Sequence, residues 1–205
     1  MGKVLNTHHQ WLGQQLALAG YELSFQQTIP DTGEAIQAAV KDSISRSELV
    51  IVTGGLGPTS DDVTRERIAE LLGVPLEEHD ETRQRIASRF KNRNRSIPNS
   101  VMGQAQVPQG ATVLPNDYGT APGLMMQTLK GRLILLPGPP RELRPMYINH
   151  VAPILTKELP PEKPLSTRTL KTMGIGESSV EELISEPLSE LIASGLRIGY
   201  CARMG

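Results

Sequence analysis

The sequence predicts an α/β fold, and three observations carry the prediction. Residues 49–52 (Leu, Val, Ile, Val) are a short apolar, β-branched run ended by a glycine-rich turn. Residues 133–136 (Leu, Ile, Leu, Leu) are a second such run, ended by Pro137 and Gly138. After each, apolar residues recur at helical spacing. Strand, turn and helix in alternation point to a sheet buried between helices. If the two strands are parallel neighbours, both turns fall at the same carboxyl edge, where open α/β sheets bind ligands.

Taken in order, the chain starts with a helix. Asn6 or Thr7 can cap it, Leu12, Leu16 and Ala19 form its inner face, and Gly20 ends it. Residues 21–29 read as a strand running into Pro30, Asp31 and Thr32. The next helix carries Ile36, Ala39, Val40 and Ile44 on one face, and Asp31 with Glu34 has capping-box spacing, so a cap is the plain reading of Asp31. The strand at 49–52 reads as buried on both faces. The chain then breaks at Gly54, Gly55, Gly57 and Pro58 before a helix faced by Ile68, Leu71 and Leu72, with Asp61 and Asp62 where an N-cap would stand.

That glycine loop has the makings of an anion cradle: glycines let amides approach a ligand, and a helix start adds partial positive charge. Two carboxylates beside it would repel a bare phosphate unless a divalent cation lay between, as magnesium does when held by one or two carboxylates and phosphate oxygens. The loop lacks the Gly-Lys-Ser/Thr of a P-loop, and Ser60 stands where the dinucleotide fingerprint has a third glycine. An ordinary strand-to-helix turn remains the other reading.

Residues 77–95 place Glu77, Glu78, Asp80 and Glu81 first and Arg and Lys last, which suits the dipole of a solvated helix; Arg93 or Arg95 reaching a phosphate is the sharper possibility. Residues 116–123 form a tight loop where backbone groups and Thr120 can face a ligand, before strands at 124–128 and 133–136 with a turn at Gly131. Pro139 and Pro140 suit a first helical turn, and Glu142, just inside that helix, is placed to complete a metal or water site. Pro160, Pro161 and Pro164 mark a linker. Beyond it, residues 165–173 read as a strand. A helix opens at Ser178 and Glu181 and carries Val180, Leu183, Ile184, Leu188 and Leu191, and 196–201 form a last strand.

Composition narrows the function. At 205 residues the chain holds one α/β domain of about 150 residues and part of another. With 21 basic against 22 acidic residues and 3% aromatics, it lacks the charge footprint and stacking platforms of a nucleic-acid binder. The single cysteine, Cys201, excludes an internal disulfide, and no apolar run reaches the ~20 residues of a membrane span, so a cytoplasmic protein with no membrane partner is expected. His8, His9, His79 and His150 are scattered and show no zinc-ligand spacing.

Three stretches resemble a known family: TGGLGPTSDDVT at 53–64, the 116–123 loop, and LPGPPRELRPMY at 136–147. They are similar to the molybdopterin-binding-like domain of molybdenum-cofactor biosynthesis proteins, and the LGPT version is most like the competence/damage-inducible protein A (CinA) family. The resemblance implies a three-layer α/β sandwich with a mostly parallel central sheet over residues 1–160. An incomplete K-homology-like α+β domain over 161–205 would follow, opened by MGIGESSVEELI. Family members carry a strand before the first helix, so a missing first strand is expected, and His8 stands where their Asn-Thr-Asn turn has its last Asn. Unpaired sheet edges would favour a homo-oligomer.

The implied activity is divalent-metal-dependent hydrolysis of a nucleotide diphosphate such as ADP-ribose. Catalytic roles fall on Asp31, Asp62 and Glu142, and magnesium or another divalent metal on Asp31, Asp61 and Asp62, with Asp31 facing Asp62. Thr53, Gly54, Gly55, Gly57, Thr59 and Gly138 would hold the substrate from one side, and Asn116, Gly119, Thr120 and Gly123 from the other. The alternatives are a protein that binds or adenylylates molybdopterin and a non-catalytic relative.

Overall fold

The computed structural model describes residues 5–91, 96–161, 166 and 168–201. Two compact units divide the chain, Met1–Leu165 and Ser166–Gly205.

The first unit opens with α1 (Thr7–Leu18), capped by Asn6, whose Oδ1 accepts the amides of His8 and His9 at 3.2 and 3.4 Å. Gly20, at φ +88°, ends it with the paired bonds of a left-handed cap, Tyr21 N–H to the Leu16 carbonyl and Gly20 N–H to that of Ala17. Then come α2 (Gly33–Arg46), β1 (Leu49–Thr53), α3 (Thr64–Leu72), β2 (Leu76–Glu78), α4 (Asp80–Lys91) and the short α5 (Asn99–Met102). They are followed by β3 (Gln106–Pro108), β4 (Thr112–Leu114), β5 (Gly123–Gln127), β6 (Arg132–Leu136), α6 (Pro140–Met146) and α7 (Ala152–Glu158). Between α6 and α7, Tyr147–Val151 winds in wider π-type turns; Pro145, which cannot donate to the preceding turn, stands just before it.

The sheet runs β1-β6-β5-β4, and β2 pairs with β3 apart from it. Strand alternation sends side chains to two cores. Leu49, Ile51, Met125, Ile134 and Leu136 meet α1, α6 and α7 on one face. Val50, Val52, Leu124, Met126, Leu133 and Leu135 meet α2 and α3 on the other. Helices on both faces of the sheet make three layers. Residues Leu133 to Leu136 of β6 are completely buried, and each such side chain contributes about 1.5–3 kcal/mol of transfer free energy.

Several expectations are corrected here. The sheet is mixed rather than mostly parallel: β1–β6 is its parallel pair, and β5 runs antiparallel to both β6 and β4. β1 stands at the end of the described sheet, so it is half-buried along its length instead of buried on both faces. Residues 21–29 form no strand. Without a ladder partner their backbone gains nothing from extension, and they are held by side chains instead: Gln26 to the His9 carbonyl, Asn6 to Thr28, and Arg46 stacked 3.9 Å above the Phe25 ring. Glu77 and Glu78 belong to β2, not to the helix after it. Thr32, not Asp31, is the N-cap of α2, and Val63, not Asp61 or Asp62, that of α3.

The second unit contains α8 (Glu177–Ser185) and α9 (Ser189–Ala193). The single long helix expected here is split because Pro187 lacks the amide to continue it, and Gly176 rather than Ser178 caps its start. Neither 166–173 nor 196–201 pairs as a strand among the described residues, and Leu170 and Met173 are exposed. Pro164 and Leu165 lie outside the described residues. Among the described residues no helix is long and apolar enough to cross a membrane.

Replacing Leu135 by Ala removes a fully buried side chain and is expected to cost about 2–5 kcal/mol in urea denaturation; a loss under 1 kcal/mol would show that the sheet's inner face repacks freely.

Candidate functional site

Parallel pairing of β1 with β6 sets Thr53 opposite Leu136, so the turns that follow the two strands emerge side by side. The Gly54 amide donates to the Leu136 carbonyl at 2.9 Å, and a side chain at Gly138 would come within 3.7 Å of the Gly54 Cα. Gly54, at φ +96°, faces open space. Two backbone turns in contact, with no side chain between them, form the floor of the candidate site.

Past Gly54 the loop packs on itself. A Cβ at Gly55 would strike the Thr64 side chain, and one at Gly57 would strike the Asp62 carboxylate. Asp62 Oδ2 accepts the Thr59 amide at 3.1 Å and its hydroxyl at 2.5 Å, while the Asp62 amide donates to the Thr59 carbonyl. The carboxylate expected to cap a helix therefore turns back and ties its own loop. Asp61 beside it is exposed, and the Thr59 hydroxyl, also within its reach, together with its own amide holds its carboxyl below the usual range. Because the Gly54 amide is committed to Leu136, it does not serve a phosphate. The Gly55 and Gly57 amides make no backbone bond among the described residues and are free to.

The second turn leads into α6, whose first turn carries Glu142, buried. Its Oε2 accepts from Asn116 Nδ2 at 2.8 Å, and its Oε1 lies 3.8 Å from Arg141 Nε. Buried Asn116 is bonded at both ends: Nδ2 also donates to the Ala121 carbonyl at 2.7 Å, and Oδ1 accepts the Tyr118 and Gly119 amides at 3.0 and 2.8 Å. Gly119 packs so closely that a Cβ there would enter Glu142 Oε2. Thr120 follows, half-buried. Gly123 is different: a Cβ would meet Met146, Leu114 and the Leu135 carbonyl, all in the core, so this glycine serves packing and not a ligand wall.

Asp31 is exposed just ahead of α2 and bonds to neither Asp61 nor Asp62. Among the described residues no three His, Cys, Asp or Glu side chains gather into a metal cage. Asp61 and Asp62 nonetheless suit a cation that takes one or two protein carboxylates and completes its shell with phosphate oxygens and water, and Asp62 Oδ1 is left over for it.

Two features were missed in the sequence. His8, in the first turn of α1, has its ring near the Gly138 backbone at the site floor, which favours its charged form; burial, the larger effect, with Arg144 and His9 nearby, pulls its pKa below the ordinary value. Its only sequence signal is the departure from the expected Asn. The other is α4: Arg85 pairs with Asp117 at 2.6 Å, and Arg89 donates to the carbonyls of Asp117 and Tyr118 at 3.1 and 2.8 Å. A groove of about 620 Å³ lies between α4 and residues 113–122. Arg93 and Arg95, the cations considered from sequence, lie outside the described residues.

Comparison with known proteins gives the same picture. The family model described as "Probable molybdopterin binding domain" matches residues 1–157. A CinA-like protein of Akkermansia muciniphila is 43% identical over 208 residues, covering 100% of this chain and 49% of the relative. A protein of Caldicellulosiruptor bescii named for competence and damage induction is 44% identical over 186 residues, 91% of this chain and 45% of the relative. The chain thus spans about half the length of the relatives it matches. Among solved structures, the CinA protein of Thermoplasma acidophilum, whose function is described as unknown, superposes with a TM-score of 0.67 at 28% identity over 75% of this chain and 89% of its own.

Gly119→Ala drives a methyl into Glu142 and Asn116 and is expected to destabilise by about 1–3 kcal/mol. Adding Glu142→Ala should recover part of that loss, a coupling read by a double-mutant cycle in urea. His8 titrates below 6.5, so its neutral ring favours the folded state: the contribution is present above 6.5 and fades as the pH falls. Ring NMR should place its midpoint under that of a His8 peptide, and His8→Asn should flatten the loss of stability on the acid side.

Proposed function

Since the chain belongs to the CinA-like family of molybdopterin-binding-like domains, we propose that it hydrolyses a nucleotide diphosphate, with ADP-ribose as the representative substrate, in the presence of magnesium or another divalent metal. One observation supports this most: two glycine turns meet at one sheet edge, with an Asp pair beyond the first and a buried Glu just beyond the second. The Gly55 and Gly57 amides would take phosphate oxygens. Thr59, by fixing one Asp62 oxygen with two donors, would leave the other for the divalent ion. Asp61, exposed beside it, would add the second carboxylate. A bound divalent ion would polarise the pyrophosphate and lower the pKa of an attacking water. Glu142 Oε1, with Oε2 clamped by Asn116, would orient that water or take its proton.

A second reading, binding of molybdopterin at the same edge, is favoured by the description of the family model. The turns and carboxylates suit any phosphorylated ligand carrying a divalent ion, so turnover separates the two.

The purified chain should release AMP from ADP-ribose with magnesium and lose that activity in EDTA. Asp62→Asn should abolish metal-dependent turnover, and Thr59→Val, which frees the ligand's orientation, should lower it roughly 10–100-fold. A folded chain inactive with every divalent ion tried, yet able to bind molybdopterin, would favour the second reading.

A further inference from the structure

The groove along α4 has no role in the chemistry above. Its floor and far wall are apolar, built from Ile86, Val113, Pro115 and Pro122. Its two ends differ in charge. Glu81 stands at one and Arg89 at the other, eight residues and so about 12 Å apart along the helix. Arg85 lies between them, but the Asp117 carboxylate at 2.6 Å neutralises it. Arg89 donates to two main-chain carbonyls, which satisfy its geometry and leave its charge uncompensated among the described residues. An anion at that end would complete it. The carbonyls are those of Asp117 and Tyr118, the residues next to Gly119. Gly119 in turn is the point where the groove touches Glu142 of the glycine-turn edge. Groove and edge therefore share one joint, narrow enough to admit only glycine.

Resting on the pyrophosphatase reading, we infer that this groove holds the nucleoside monophosphate half of the substrate, with its phosphate at the Arg89 end and its base between Ile86 and the prolines. A purine with an exocyclic amine fits that polarity, because the amine would face Glu81 while the phosphate faces Arg89. Cleavage at the pyrophosphate would then leave this half in the groove as product, so the monophosphate alone binds the protein. The volume of about 620 Å³ falls within the range of sites that enclose a ligand of this size.

The test is calorimetric titration of the chain with AMP and with adenosine, using wild type, Ser88→Trp and Arg89→Gln. Ser88 is an exposed residue on the lip of the groove. Its replacement should leave the melting temperature unchanged and weaken AMP about 10-fold or more. Arg89→Gln should weaken AMP more than adenosine, a difference that loosening of the loop alone would not produce. Gln84→Trp on the same lip serves if Ser88→Trp fails to fold. Wild-type AMP affinity in a folded Trp variant, or no AMP binding by wild type, overturns the groove assignment even if ADP-ribose is turned over. AMP binding lost in the Trp variants of a chain that never cleaves ADP-ribose would uphold the groove and remove the pyrophosphatase reading instead.

Discussion

Everything at the candidate site depends on the parallel pairing of β1 and β6. More than eighty residues of sequence separate the two turns, and only the register that sets Thr53 against Leu136 brings them into contact. Hydrophobic burial enforces that register. A slip by one residue would turn Val50 and Val52 towards α1 and Ile51 towards α2, exchanging the two cores. The site is thus positioned by packing on both faces of the sheet before any polar group contributes.

Asn116 does for the opposite wall what the sheet does for the floor. Its amide carries four hydrogen bonds, three holding the loop and one holding Glu142. α4 grips the same loop from outside through Arg85 and Arg89. A buried amide with all its partners satisfied tolerates few alternatives, because each broken bond would leave a polar atom unpaired away from water.

The layers of the fold were legible because they rest on local signals: apolar runs of strand length, helical periodicity, and glycines at +φ. The adjacency of the two turns also followed from pattern. The errors came where a residue's partner is not the one its local pattern suggests. Residues 21–29 have a strand's composition, yet no neighbouring strand offers them a ladder. Asp62 has a cap's position, but Thr59 provides two donors that the helix start does not. Gly123 looked like a ligand wall until Met146 of α6 was seen packed over it. Arg89 carried no local pattern at all, since what gives it meaning is a pair of backbone carbonyls far along the chain, and His8 carried only its departure from the expected Asn.

The segment at 21–29 bears on how the molecule opens. Instead of a ladder its fastenings include a stacked guanidinium and side-chain hydrogen bonds, so its amides should exchange with solvent far sooner than those of β6. Two of these hydrogen bonds end on residues at the start of α1, Asn6 and His9, which lie on either side of His8. Fraying of this connection would therefore loosen the start of α1 around His8, and mobility there would be set by a stretch outside the two glycine turns.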